Sequence, residues 1–408
     1  MTSLSPRKNI LIITYHLPPC GGVTSLRIAK FLKYLSSSHF SLYVLSVREN
    51  AYAQHDPSLT KDIQHIPIKR TFYFKRSRCM PKDEGLFWLP FYVPAIINTV
   101  FAKRPALIFF NTSPFYILLI IPFLKMITDA KLVVDMRDPW RLNPFKPKGF
   151  YAPLANLIDR IAEPFVLRYS SLVINATEYA TRMYQNQYKT MRHKFITVYN
   201  GYDPEDVHRT GLRDTKSKGS GFDIIYAGGF YDYRAPRSFL AGFEKFIHDA
   251  HLTEKEIRFI VLGKTEELFL SAVHELKLNT FCFSSGHLPY DDTLHCIKRA
   301  DLCLVVGGDH PYQIPTKVFE YIGFGKPIMG CLQSEGELSL LLNRYPLARY
   351  TIRGTTEEIA TMLHSFYFKR NNRAADMNGF YRALDPMINR KTQAKLLEKI
   401  FDTLLLAR

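Results

Sequence analysis

The chain has 408 residues, 47% apolar and 22% charged, too long for one ordinary core and too apolar for an intrinsically disordered chain. Lys and Arg number 54 against 37 Asp and Glu, a formal charge of +17, which favours anionic partners: nucleotide phosphates, acidic lipid headgroups or nucleic acid. Six scattered cysteines without a C-x-x-C pair argue against a disulfide framework or a cysteine zinc site and suit a reducing compartment.

Residues 1–8 are polar and run straight into an apolar segment, so no signal peptide is expected and the expected location is cytoplasmic. The sequons at Asn111 and Asn175 are then chance matches. A continuous apolar run at 9–14 predicts a strand buried on both faces. It is followed by Pro18-Pro19-Cys20-Gly21-Gly22 and a helix with Leu26, Ala29, Leu32 and Leu35 on one stripe. Residues 69–82 hold six basic residues and no acid, interleaved with Phe72, Tyr73 and Phe74 and followed by Leu86-Phe87-Trp88-Leu89-Pro90-Phe91-Tyr92. That mixture suits an anionic membrane face, with an ordinary basic loop over core aromatics as the alternative. The uncharged stretch 106–124 is interrupted by Asn111-Thr112-Ser113-Pro114 and Pro122. It reads as a strand at 106–110 and a helix at 115–127, rather than as a membrane span.

Further strands are predicted at 41–47, 131–135 and 171–175, with helical segments between, the rhythm of a parallel sheet. Residues 208–221 are polar and glycine-rich, which is linker composition. The rhythm then restarts: strands at 222–227, 258–262, 280–283, 302–306 and 327–331 alternate with helices at 236–249, 267–277, 290–299 and 315–324, and a last helix covers 391–406. The reading is two doubly wound α/β domains, 1–207 and 222–390, joined by the linker 208–221, with ligands beyond the carboxyl ends of the strands.

Two segments carry chemistry. In Gln313-Ile314-Pro315-Thr316-Lys317-Val318-Phe319-Glu320-Tyr321, proline suits the first helical position, so free amides, the Thr316 hydroxyl and the Lys317 ammonium converge on an anion site. Glu320 lies one turn further on the face of Thr316, about 5 Å along the axis, the step from a phosphate to its ribose. The alternative is a capped helix with a solvated Lys–Glu pair. The strand at 131–135 ends in Asp135, Arg137 and Asp138, and buried strands rarely end in three charges unless these pair or meet a ligand. Gly21 and Gly22 let backbone amides approach a phosphate or sugar. They form no G-x-G-x-x-G fingerprint, so no dinucleotide cofactor is indicated.

With these segments in place the chain resembles the group-1, or family 4, retaining glycosyltransferases of the GT-B fold. The resemblance rests on Tyr15-His16-Leu17-Pro18-Pro19-Cys20-Gly21-Gly22, Val134-Asp135-Met136-Arg137-Asp138-Pro139-Trp140, Asn200-Gly201-Tyr202-Asp203, Ala227-Gly228-Gly229 with Arg234, and Pro315-Thr316-Lys317 through Gly325-Lys326-Pro327. It implies two Rossmann-like domains facing a cleft, a nucleotide-diphosphate-sugar donor on the second, an acceptor on the first, and a last helix, 391–408, that crosses back to the first. No cofactor or metal is implied. Within the family's Glu-x7-Glu motif Glu320 matches the second Glu, the ribose ligand, while Tyr312 stands where the first belongs, as in a subgroup that uses a Pro-Thr-Lys loop. Arg234 matches the Lys of the family's diphosphate clamp and Gly229 stands at its Arg, leaving Arg237 or Lys264 to supply the second charge. The resemblance makes Asp138, Arg137 and Asp135 the catalytic candidates. Gly21, Gly22, Arg234, Lys264, Pro315, Thr316, Lys317 and Glu320 become donor ligands, and His16 and Trp140 acceptor contacts.

The expected activity is sugar transfer to a glycan or lipid-linked acceptor in cell-surface polysaccharide or glycolipid synthesis, by an enzyme peripheral on the inner face of the plasma membrane. Alternatives are a sugar-nucleotide hydrolase or epimerase of the same fold, or a non-catalytic homologue that holds a nucleotide or glycan. No motif supports nucleic-acid binding.

Overall fold

The computed structural model describes residues 7–36, 39–75, 83–141, 152–212, 221–230, 236–265, 267–369 and 377–406. The chain divides into two compact units, Met1–Tyr199 with Lys391–Arg408, and Asn200–Arg390. The boundary thus falls before the predicted linker, whose first residues, 208–212, lie within helix Pro204–Leu212. Residues 213–220 lie outside the described residues. A short polar helix has no apolar face long enough to announce itself, so in sequence its end reads as linker.

The first unit is built on a seven-stranded sheet: β1 (Asn9–Thr14), β2 (Ser41–Val47), β3 (Ile68–Thr71), β4 (Leu107–Asn111), β5 (Lys131–Met136), β6 (Leu172–Asn175) and β7 (Phe195–Thr197), in the order β3-β2-β1-β4-β5-β6-β7. Every pairing is parallel, so both faces need helical cover. On one face Ile10, Ile12, Val133 and Ile174 meet α1 (Val23–Leu35) and the C-terminal helix α14 (Arg390–Leu406) through Ile28, Leu32, Leu397 and Phe401. On the other, Leu11, Ile13, Val134 and Val173 meet α2 (Gly85–Lys103), α3 (Ile121–Ile127), α4 (Ala152–Tyr169) and α5 (Glu178–Gln187).

The second unit repeats the plan with six parallel strands. These are β8 (Phe222–Ala227), β9 (Ile257–Leu262), β10 (Cys282–Ser284), β11 (Leu302–Val306), β12 (Ile328–Leu332) and β13 (Ala348–Ile352), ordered β10-β9-β8-β11-β12-β13. Around them run α6 (Pro204–Leu212), α7 (Arg237–Asp249), α8 (Glu267–Glu275), α9 (Tyr290–Arg299), α10 (Lys317–Gly323), α11 (Glu337–Arg344), α12 (Thr356–Phe368) and α13 (Met377–Ile388). In both sheets the strand order reverses once, between β1 and β4 and between β8 and β11, and ligands of such sheets bind beyond the strand ends at that point.

The stretch 106–124 is not a span: it splits into β4, a 3₁₀ turn at Tyr116–Ile120 and the start of α3. Among the described residues one helix, α2, is long and apolar enough to cross a membrane, but Trp88, Tyr92, Ile96 and Val100 seat one face of it on the sheet. Trp88 also donates its indole N–H to Thr71 Oγ1 at 2.7 Å. The aromatics 86–92, expected to face a membrane, therefore turn their largest members inward.

Candidate functional site

The carboxyl edge of the first sheet carries a polar row fixed by register. Thr14, Asn111 and Asp135 are direct neighbours across β1, β4 and β5, and by strand alternation all point to the α1 face. There Arg27 of α1 grips Asp135 with two hydrogen bonds, at 2.7 and 2.9 Å, and donates to the carbonyls of Val198 and Tyr199, both at 2.9 Å. Asn111 Nδ2 donates to Asp135 Oδ2 at 3.0 Å. Arg27 and Asp135 are fully buried. This corrects the placing of Asp135 among the catalytic candidates: both its oxygens are committed to a buried pair beneath the edge, out of reach of a substrate. Arg27 escapes a reading of the sequence because nothing local sets it apart from Lys30 and Lys33 on the same helix; the signal for it is Asp135, a buried acid that needs a cation.

Above that pair lies an accessible group. Gly22 precedes α1 with φ of 100° and no side-chain cap, so the first amides of the helix are left open, a site suited to anions. Gly21 differs: its amide donates to the Gln54 carbonyl at 3.1 Å, so its role is to hold the turn. Arg137, half-buried, donates to Thr24 Oγ1 in the first turn of α1 at 2.5 Å and to Asp138 Oδ2 at 2.6 and 2.9 Å. His16 is pushed down to about 4 by burial and by the Arg137 guanidinium, so it is neutral at pH 7. Its Nδ1 lies 3.6 Å from Cys20 Sγ, a thiol that burial pushes up to about 11 and keeps protonated. Gly22, His16, Arg137 and Asp138 thus meet at one edge.

Trp140 does not join them. It is buried, stacked on Phe115 at 5.7 Å, and donates its indole N–H to Asp159 of α4 at 3.0 Å. Instead of facing an acceptor it fastens the Arg137–Asp138 loop to α4, which is a correction with a plain cause: a buried ring, stacked and satisfied at its N–H, has no free surface.

At the edge of the second sheet, α10 begins at Lys317, two residues later than predicted, because Val318 N–H donates to the Pro315 carbonyl and Phe319 N–H to that of Thr316, each at 3.1 Å. Pro315 is therefore part of a tight lead-in turn, Thr316 caps the helix and Lys317 is its first residue. Glu320 is buried, with Oε2 lacking a hydrogen-bond partner among the described residues. Burial raises its carboxyl above the ordinary range, against the pull of Lys317, whose ammonium sits 3.8 Å from Oε1 and over the Tyr290 ring. A buried carboxyl oxygen without a donor is rare in folded proteins and asks for a ligand. The alternative of a solvated surface pair fails on burial alone.

Beside it, the loops after β11 and β12 flank a small open pocket, of about 10 Å³, lined by Gly307, His310, Gln313, Pro315, Ser334 and Glu335. Gly336 lets them close: a Cβ there would come within 2.4 Å of the Pro311 carbonyl oxygen. Tyr312, at the position of the missing Glu, is buried and stacked on His310 at 5.9 Å. Lys264 is exposed just past β9, and its carbonyl accepts the Phe230 amide at 3.2 Å. That pairing sets it beside the Gly228-Gly229 turn. Arg237 is bound instead to Glu275 at 2.7 Å. Arg234 lies outside the described residues.

The architecture is that of the GT-B glycosyltransferases. HepE of Anabaena, solved with UDP, matches with a TM-score of 0.68 over 97% of this chain and 100% of its own at 16% identity; it has also been solved with UDP-glucose. The sucrose-phosphate synthase of Thermosynechococcus elongatus matches at 0.74 over 98% and 100% of the two chains, with 12% identity. WaaG, a glycosyltransferase involved in lipopolysaccharide biosynthesis, matches at 0.62 over 97% and 99%, with 13% identity. No family model and no curated protein matches the chain. At such identities the likeness establishes the fold.

Proposed function

We propose that the protein is a retaining glycosyltransferase that takes its sugar from a nucleotide-diphosphate-sugar and passes it to a glycan or lipid-linked acceptor. The observation that carries this reading is Glu320: a buried carboxyl with an unpartnered oxygen, one turn inside a helix whose leading amides and Lys317 suit phosphate. A ribose hydroxyl supplies the donor that this oxygen lacks. Lys317 and Lys264 then neutralise the diphosphate, and the polar groups of the loops after β11 and β12, His310, Gln313 and Ser334, offer hydrogen bonds to the sugar at their open rim. Side chains furnishing that charge make a divalent metal unnecessary, so activity is expected to persist in EDTA.

On the first unit, Arg137 and the open end of α1 form an edge of their own that suits an anion. Asp138 binds the acceptor hydroxyl and draws its proton. That HepE was solved with UDP and with UDP-glucose favours uridine nucleotides as the first to try. Calorimetric titration of UDP, GDP and ADP into wild type and Glu320→Gln tests the proposal. One nucleotide should bind, and the variant should weaken it about tenfold or more, as loss of a charged hydrogen-bond acceptor does. Equal affinity in both proteins sinks the reading.

A further inference from the structure

Helix α4 is apolar on two opposite sides. Its inner side, with Ala162, Val166 and Leu167, belongs to the core of the first unit. Its outer side carries Leu154, Leu157, Ile158, Ile161 and Phe165, each between 39% and 67% exposed. Their spacing of three and four residues lines them up as one ridge, about 16 Å long at 1.5 Å per residue. Scattered exposed apolar residues are ordinary, but a continuous ridge marks an interaction surface.

Charge identifies what the ridge meets. Both acids of α4 are turned inward, Asp159 to the Trp140 indole and Glu163 to the Arg141 amide at 3.0 Å. Its arginines, Arg160 and Arg168, face out. Next to α4, helix α3 exposes Phe123, Lys125 and Met126, the last 82% exposed. Lys194 Nζ caps the carboxyl end of α4, donating to the carbonyls of Arg168 and Ser170 at 2.6 and 2.8 Å. Its ammonium is pushed down first by burial and then by Arg168 and Lys125, so three cations gather there. An apolar ridge with cations at its end and its own acids turned inward matches a surface that is itself anionic and apolar.

We infer that the α3–α4 face of the first unit docks on an anionic lipid bilayer. The face is fastened by Trp140 and Arg141 to the loop bearing Arg137 and Asp138, so docking would hold that loop within about a helix diameter, 10 Å, of the headgroups. The basic segment at 69–75 is a weaker candidate. Arg70 there is tied to Glu49 at 3.1 Å, and Arg48 covers Phe72.

Vesicle flotation of the full chain tests this without any sugar donor, so its result is separate from the donor reading. Wild type should float with vesicles of phosphatidylglycerol and phosphatidylcholine and not with phosphatidylcholine alone, and salt should weaken binding. Leu157→Gln/Ile161→Gln should reduce partition roughly tenfold or more while keeping the wild-type melting temperature and nucleotide binding. Ile161→Trp should remain bound and show fluorescence quenching by brominated lipid. Failure of wild type to float, equal flotation of the double variant, or a concentration-dependent dimer that the double variant abolishes would each overturn the inference; the last would assign the ridge to a second copy of the chain.

Discussion

Burial decides which of the charged residues at the first edge can act on a ligand. Asp135 and Arg137 are two residues apart in the chain, yet Asp135 is locked under the sheet edge while Arg137 stays partly exposed. Arg27→Met should destabilise the first unit by about 3–5 kcal/mol, since it leaves the buried Asp135 charge without its cation. Adding Asp135→Leu should recover most of that loss, and urea midpoints of the single and double variants check it. His16 gives a pH signature. Its imidazole stays neutral in the folded chain down to about 4, against 6.5 when unfolded. Between those values the unfolded state binds a proton that the native state lacks, so stability falls as pH drops from 6.5 to 4. The loss is at most about 1.4 kcal/mol per pH unit. His16→Gln should lack this slope when urea midpoints are compared at pH 7 and 5.

Among the elements, strands buried on both faces are the most legible: β1, β2, β8 and β11 fall at their predicted bounds, because an unbroken apolar run has few other uses. The short edge strands β3, β7 and β13 escape a reading of the sequence, since only their pairing partners complete them. The start of α10 is displaced for a related reason: proline at a first helical position is a local preference, and the tight turn that overrides it depends on how the loop packs. Turns show the same dependence. Gly22→Ala meets no atom, but its φ of 100° with ψ of 174° lies in a region essentially reserved for glycine, so it should cost about 1–3 kcal/mol. Gly263→Ala is different, because its Cβ would fall 2.2 Å from the Gly228 carbonyl oxygen. It should force the β8 and β9 turns apart, lowering stability further and weakening nucleotide binding, which a thermal-shift series with UDP would separate from the effect at Gly22.

At the scale of the whole molecule, the two units carry different reporters. Both tryptophans, Trp88 and Trp140, belong to the first unit, and so does α14, through Leu397 and Phe401. Leu397→Ala should therefore shift the transition seen by tryptophan fluorescence, by about 2–5 kcal/mol for a fully buried leucine. A nucleotide held by the second unit should instead raise a transition visible in far-UV circular dichroism, and a nucleotide effect on the tryptophan signal alone would contradict that division. The sequence by itself determined the class of fold and the two repeats of strand and helix, because periodicity and glycine–proline punctuation are local properties of a chain. Only tertiary structure decided that Asp135 is a buried ion-pair partner, that Trp140 is a strut, that Glu320 keeps an unpartnered oxygen and that α4 is apolar on both sides. Each of these depends on burial, and burial is set by segments distant in the chain as much as by its neighbours.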